Sequence, residues 1–204
     1  NVFGLVEDKQ GNLWIGTDEG LNFFNNRTKM FTHYRHQANE TNSLSHDNVE
    51  SIMEDSQGNL WIGTDEGLNL FNIKNKIFKR YTTQDGLPNN VIYGIQVDNQ
   101  GFIWVTTNSG LSRLDSKTGK FKNYDVGDGL QSNEFSGNAS FKSESGELFF
   151  GGINGFNRFY PENIIDDTQL PKVVITEMLL LNESVPVIPM NSGKNNKKDL
   201  IAPL

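Results

Sequence analysis

Apolar and polar residues alternate in short runs along most of the chain, and no stretch shows the three-to-four-residue spacing of an amphipathic helix. Residues 49–53 (VESIM) alternate, and residues 60–64 (LWIGT) form a short apolar run. Residues 68–71 (LNLF) alternate again, and residues 77–81 (IFKRY) complete the set with a period of two. Each run has the length of a strand and is bounded by turn residues. An Asp-x-x-Gly turn at 55–58 separates the first two runs. Asp bonds its own backbone two residues on and Gly supplies a positive φ, so a hairpin is expected there. A turn ending at Gly67 and another at 72–76 separate the remaining runs.

The unit recurs. EDKQGNLWIGTDEGLNF (7–23), EDSQGNLWIGTDEGLNL (54–70), VDNQGFIWVTTNSGLSRL (97–114) and SESGELFFGGINGFNRF (143–159) are successive copies. Trp14, Trp61, Trp104 and Phe149 stand 47, 43 and 45 residues apart. Four antiparallel strands at this period make a propeller blade. The fold class read from the pattern is all-β, a partial β-propeller of about four blades over residues 1–165. The Trp of each second strand is expected between blades, with Gly16, Gly63 and Gly151 admitting close strand approach. The Phe-x-x-Tyr of each outer strand (Phe31/Tyr34, Phe78/Tyr81, Phe121/Tyr124) reads as packing.

Between blades lie a long polar connector at 36–47 and two shorter ones, DGLPNN (85–90) and DGLQSN (128–133). Leu44, Leu87 and Leu130 hold the same place in them and are expected to plug the corner between blades. The fourth blade departs from the pattern: Ser143 replaces Asp, Phe149 replaces Trp, and Pro161 ends the ladder. It is expected to lack its outer strand, leaving fifteen strands and an exposed edge. Closure would then need a strand, and further blades, from before residue 1. From residue 170 the register changes. Residues 171–182 and 185–188 read as the first strands of a second domain, an incomplete β-sandwich over 166–204.

The chain has 204 residues and a formal charge of −7, with 18 basic against 25 acidic side chains. Its one basic cluster, at 194–198, gives little support to nucleic-acid binding. Absent cysteines exclude a disulfide scaffold and thiol chemistry. No apolar run reaches the length of a membrane span. Asn1 already lies inside a repeat, so the chain reads as part of a longer protein.

Little in this pattern points to catalysis. His33, His36 and His46 fall at a strand end and in a connector, and solvated loop histidines fit better than a metal site. No cofactor is expected. Each Asp-x-x-Gly-Asn turn offers one carboxylate, where a calcium loop needs several. If the strand before that turn is innermost, two loop sets share the opposite face. The second turns bring Asp18, Glu19, Asp65, Glu66, Asn108, Ser109 and Asn154; the connectors bring Asn89, Asn90, Asn133 and Glu134. Such a rim of carboxylates and amides suits the hydroxyls of a sugar.

The repeated Asp-x-x-Gly-Asn-Leu-Trp-Ile-Gly-Thr-x-x-Gly-Leu, with its Asp-Gly-Leu-x-x-Asn connector, resembles the two-component-regulator propeller repeat. The closing pattern from Gly146 to Pro161 resembles the last blade of that family, and Pro171 onward the start of a triple-tyrosine β-sandwich. The resemblance implies an extracytoplasmic, periplasmic sensor region of a hybrid two-component system of Bacteroidetes. It implies an oligosaccharide as ligand, further blades of the same chain as partners, and a homodimer formed through the sandwich. No kinase motif lies in this chain, so no catalytic residue is expected in it. The alternatives are a propeller enzyme, such as a polysaccharide or antibiotic-ring lyase, and a scaffold for protein contacts.

Overall fold

The computed structural model describes residues 1–164 and, as backbone alone, two short strands beyond them. Residues Asn1–Ile164 form one unit and Ile165–Leu204 a second. The first unit is built from three four-stranded antiparallel sheets and one of three strands. Blade one is β1 (Val2–Glu7), β2 (Leu13–Thr17), β3 (Gly20–Asn25) and β4 (Met30–Tyr34). Blade two is β5 (Val49–Glu54), β6 (Leu60–Thr64), β7 (Gly67–Asn72) and β8 (Ile77–Tyr81). Blade three is β9 (Gly94–Val97), β10 (Ile103–Thr107), β11 (Gly110–Asp115) and β12 (Lys120–Tyr124). Blade four is β13 (Phe135–Lys142), β14 (Leu148–Gly152) and β15 (Gly155–Phe159). After it Pro161–Asn163 form a 3₁₀ turn, as the proline requires. In the second unit β16 (Met178–Leu180) pairs antiparallel with β17 (Glu183–Val185). The rest of the expected sandwich lies outside the described residues.

Each blade meanders outward from its first strand, and β1, β5, β9 and β13 lie side by side at the centre. The Asp-x-x-Gly turns hold as expected: Asp8 Oδ1 accepts the backbone N–H of Gln10 and Asn12, both at 2.9 Å. Gly11, Gly58, Gly101 and Gly146 occupy the left-handed region there, with φ between 77° and 90°.

Three apolar clusters fill the spaces between blades. Trp14 of blade one is buried among Ile52, Ile62, Phe71 and Phe78 of blade two. Trp61 is buried in the same way among Ile95, Val105, Leu114 and Phe121 of blade three, and Trp104 among Phe150 and Phe159 of blade four. Leu44 and Leu87 join these clusters from the connectors, and Leu130 packs against the third. The glycine two residues after Trp14 and Trp61 is a steric need. A Cβ on Gly16 would lie 2.7 Å from Val49 Cγ1, and one on Gly63 only 2.7 Å from Ile92 Cγ2.

Two features were not expected. Phe31 is 53% exposed although its counterpart Phe78 is 9% exposed, because the face of blade one away from blade two is open. In blade four β13 carries a wide register shift between Phe135 and Ser140, with Asn138 at φ 55°. Asn138 N–H donates to Tyr93 O at 3.1 Å and its Nδ2 to Phe3 O at 2.9 Å. The bulge therefore crosses the centre, tying the first strand of blade one and the approach to blade three to blade four.

Candidate ligand-binding rim

The second turns and the connectors meet on one face, because each connector runs between two neighbouring turns. Gly20 N–H donates to Asp47 O and Gly110 N–H to Asn133 O, both at 2.7 Å. Asn48 Nδ2 donates to Asp65 Oδ2 at 2.9 Å, and Ile153 N–H to Glu134 O at 3.3 Å. The rim residues divide by what they already hold.

Asn90 Oδ1 accepts Thr83 N–H at 2.8 Å and Asn133 Oδ1 accepts Val126 N–H at 3.0 Å, so both fasten their own connectors. Asn89 Oδ1 accepts Val91 N–H at 2.9 Å, which leaves its Nδ2 available. Asp18 Oδ2 accepts Asn1 Nδ2 at 3.2 Å. Glu19 pairs with Arg35 at 3.0 Å. Asn154 offers its backbone N–H to Gln131 Oε1 at 2.8 Å. Glu66, Asn108, Ser109 and Glu134 are exposed, and among the described residues their side chains make no hydrogen bond or ion pair. These four are the free polar groups of the rim.

Sequence reasoning missed the groups nearer the centre. Asn48 Nδ2 bridges Glu50 Oε1, at 2.8 Å, and Asp65 Oδ2. His46 Nδ1 accepts Asn48 N–H at 3.0 Å and lies 3.9 Å from Asp65. His36 Nδ1 instead meets Leu44 O at 2.8 Å, and His33 meets Asn22, so the three histidines are engaged one by one. Among the described residues no group of three or more His, Asp or Glu is placed to hold a metal ion.

The connectors are held by a clamp on the third and fourth strands. Asn69 Oδ1 accepts the N–H of Ser45, the residue after Leu44, at 2.9 Å. Arg80 Nε donates to the carbonyl of Ser43, the residue before it, at 2.9 Å. In blade four Asn157 makes both contacts alone, to Gln131 N–H at 2.9 Å and Gly129 O at 3.2 Å. In blade three the residue after Leu87 is Pro88, which has no N–H, and the clamp residue is Ser112 rather than Asn. There Asn123 keeps the carbonyl contact, to Gly86 O at 2.9 Å. The repeated Asn22, Asn69 and Asn157 were visible in the sequence, but only the fold shows what they grip.

With this geometry described, the chain can be set beside known proteins. Residues 1–19, 43–66 and 86–109 match the two component regulator propeller family. In the second and third blades the matched repeat starts just before the connector leucine and ends at the second turn, so it spans the plug, the first strand, the Asp turn and the Trp strand. No curated protein sequence matches the chain. Among solved structures the propeller is similar to the extracellular domain of the hybrid two component system BT3049 from B. thetaiotaomicron. The likeness has a TM-score of 0.78 at 28% identity, over 91% of this chain and 26% of that one. The chain thus spans about a quarter of that relative's length. PorZ of Porphyromonas gingivalis, a component of the type-IX secretion system, gives 0.64 at 18% identity over 78% of this chain and 26% of that one. Virginiamycin B lyase from Staphylococcus aureus gives 0.63 at 20% identity over 83% and 56%. At these identities the last two share the fold alone.

Proposed function

We propose that this chain is part of the extracytoplasmic, periplasmic sensing region of a hybrid two-component system, and that its propeller rim binds neutral, glycan-derived oligosaccharides. The likeness to the extracellular domain of such a system across nearly the whole chain carries the first half of this reading. Among the described residues no helix is long and apolar enough to cross a membrane. The composition of the rim supports the second half. Its free groups are two carboxylates, an amide and a hydroxyl, directional partners for sugar hydroxyls. Acidic neighbours at Asp18, Glu19, Asp65 and Glu50 disfavour anionic ligands. The chain acts by binding and performs no chemistry; its signal passes through a dimer whose two arrangements bind the ligand with different affinity.

The test is titration calorimetry of the protein against a panel of neutral and uronate-containing oligosaccharides, repeated with Asn108→Ala and Glu134→Ala. Saturable binding of neutral members, weakened at least tenfold in a variant whose unfolding midpoint is unchanged, is the expected result. Failure of every panel member to bind the folded protein would remove the ligand assignment.

A further inference from the structure

The first strands themselves close the centre of the molecule. Phe3, Glu50, Tyr93 and Asn138 hold one place in the four blades, each three residues before the partner of the second-strand aromatic. In blades one and two this place is a one-residue bulge, between Val2 and Gly4 and between Val49 and Ser51. A bulge re-aims its residue out of the ladder. In blade four it widens to residues 136–139, between Phe135 and Ser140.

The wide bulge spans the axis through the hydrogen bonds of Asn138 to Tyr93 O and Phe3 O. Glu50 reaches it from blade two: a Cβ on Gly137 would lie 3.6 Å from Glu50 Oε2, at ordinary contact. The four blades therefore meet at residues 137–138. Their level is set by the pairing of Val49 with Thr64 and of Phe135 with Gly152, the last residues of β6 and β14 before the second turns. It lies just beneath the rim. On the side these four blades supply, the mouth of the channel is a shallow blind cup with the bulge as its floor.

The groups around the cup are of two kinds. Asn48 Nδ2 holds Glu50 Oε1 at 2.8 Å, which fixes the carboxylate and leaves Oε2 without a hydrogen bond among the described residues. Phe3 and Tyr93 are half-buried; among the described residues neither ring stacks on another, and the Tyr93 hydroxyl makes no hydrogen bond. Ser136, Gly137 and Asn138 are exposed. An aromatic face beside a fixed carboxylate suits one pyranose ring, whose C–H face packs on the aromatic while its hydroxyls donate to the oxygen.

We propose that this cup seats the terminal sugar residue of the ligand, with Glu50 Oε2 accepting its hydroxyls and Tyr93 carrying its ring, so that the protein reads chain ends. The inference rests on the sugar-binding reading above and goes beyond it in naming the end of the chain as what is recognised. The floor decides this. The hydrogen bonds from Asn138 to Phe3 and Tyr93 leave no passage for a continuing chain, which can leave only over the rim. Glu66, Asn108, Ser109 and Glu134 then meet the residues that follow. A released oligosaccharide presents an end for every few sugars, and a long polysaccharide presents hardly any.

The experiment is titration calorimetry of the whole chain with malto-, xylo- and manno-oligosaccharides, disaccharide to hexasaccharide, and with soluble starch, arabinoxylan and galactomannan. The same titrations are run on Glu50→Gln, which keeps the acceptor for Asn48, on Tyr93→Ala, and on Gly137→Leu, which fills the cup from its floor. The oligosaccharide that binds should lose about tenfold or more in affinity with each variant, at an unchanged unfolding midpoint. Its parent polysaccharide should bind at least tenfold more weakly per sugar residue. Undiminished binding by folded Glu50→Gln and Gly137→Leu, with loss in Asn108→Ala, would overturn the cup and leave the rim reading standing. A polysaccharide that matches its oligosaccharides per sugar residue would overturn the recognition of ends. Absence of binding by every oligosaccharide would remove the sugar reading itself, and the cup with it.

Discussion

Trp104 Nε1 donates to Asp98 Oδ2 at 2.9 Å, and both groups are buried. The same pair recurs as Trp14 with Asp8 at 3.2 Å and Trp61 with Asp55 at 3.3 Å. The aspartate therefore has two duties. One oxygen closes the turn, taking Gln100 N–H and Phe102 N–H at 2.9 Å each, and the other satisfies the indole in the core. Blade four has lost both members together. Ser143 Oγ still accepts Glu147 N–H at 3.0 Å, and Phe149 brings no N–H that needs a partner.

Replacing Asp98 by Ala should accordingly cost about 3 kcal/mol, since it strands buried donors of the indole and the turn. The double variant Asp98→Ser/Trp104→Phe, which copies blade four, should lose less than the sum of its single changes. Urea unfolding of the four proteins gives the coupling directly.

The connector clamp makes a second prediction. Ser45→Pro should destabilise by about 1 to 2 kcal/mol, because Asn69 Oδ1 loses its donor in a buried site. Adding Asn69→Ser, the pairing found in blade three, should recover part of the loss. Equal destabilisation with and without the second change, in thermal melts, would contradict the clamp.

Close approach of strands makes a third. A Cβ at position 63 would lie 2.5 Å from Ser51 Oγ and 2.7 Å from Ile92 Cγ2. Gly63→Ala should cost about 1 to 3 kcal/mol through overpacking between blades two and three. The companion Leu87→Ala, which removes the buried plug of the same interface, should cost about 2 to 5 kcal/mol by leaving a cavity. Both are read from denaturant midpoints at unchanged slope.

Tyr34 supplies a pH dependence. Its ring packs 5.0 Å from Phe71 and 6.0 Å from Trp14, and burial raises its phenol above the model-compound value of 10.0. Below that value the phenol is protonated in both states and contributes no pH slope. Above it the unfolded chain ionises first, so stability falls as the pH rises toward the folded-state value. Tyr34→Phe should therefore flatten the loss of stability as the pH rises above 10.0, measured by urea unfolding at each pH.

The propeller was legible because its signals are local. Alternation of period two, an Asp-x-x-Gly turn and a bulky residue at constant spacing depend on neighbours a few positions away, and repetition multiplied each signal. That sufficed to place fifteen strands, to put Trp14, Trp61 and Trp104 between blades, and to order the loops on two faces. The candidate site was legible only as a set of positions. Asn90 and Asn108 have the same chemistry in the sequence, yet one fastens its own connector and the other faces solvent unpaired.

By itself, then, the sequence determined the repeat, its strands and turns, and the residues of its core, since backbone sterics and burial act on each unit in the same way. Tertiary structure decided which polar groups are already occupied, how the bulge at Asn138 reaches Phe3 across 135 residues, and which face of blade one stays open. Those outcomes depend on which blade stands beside which, and equal repeats become unequal only through their neighbours.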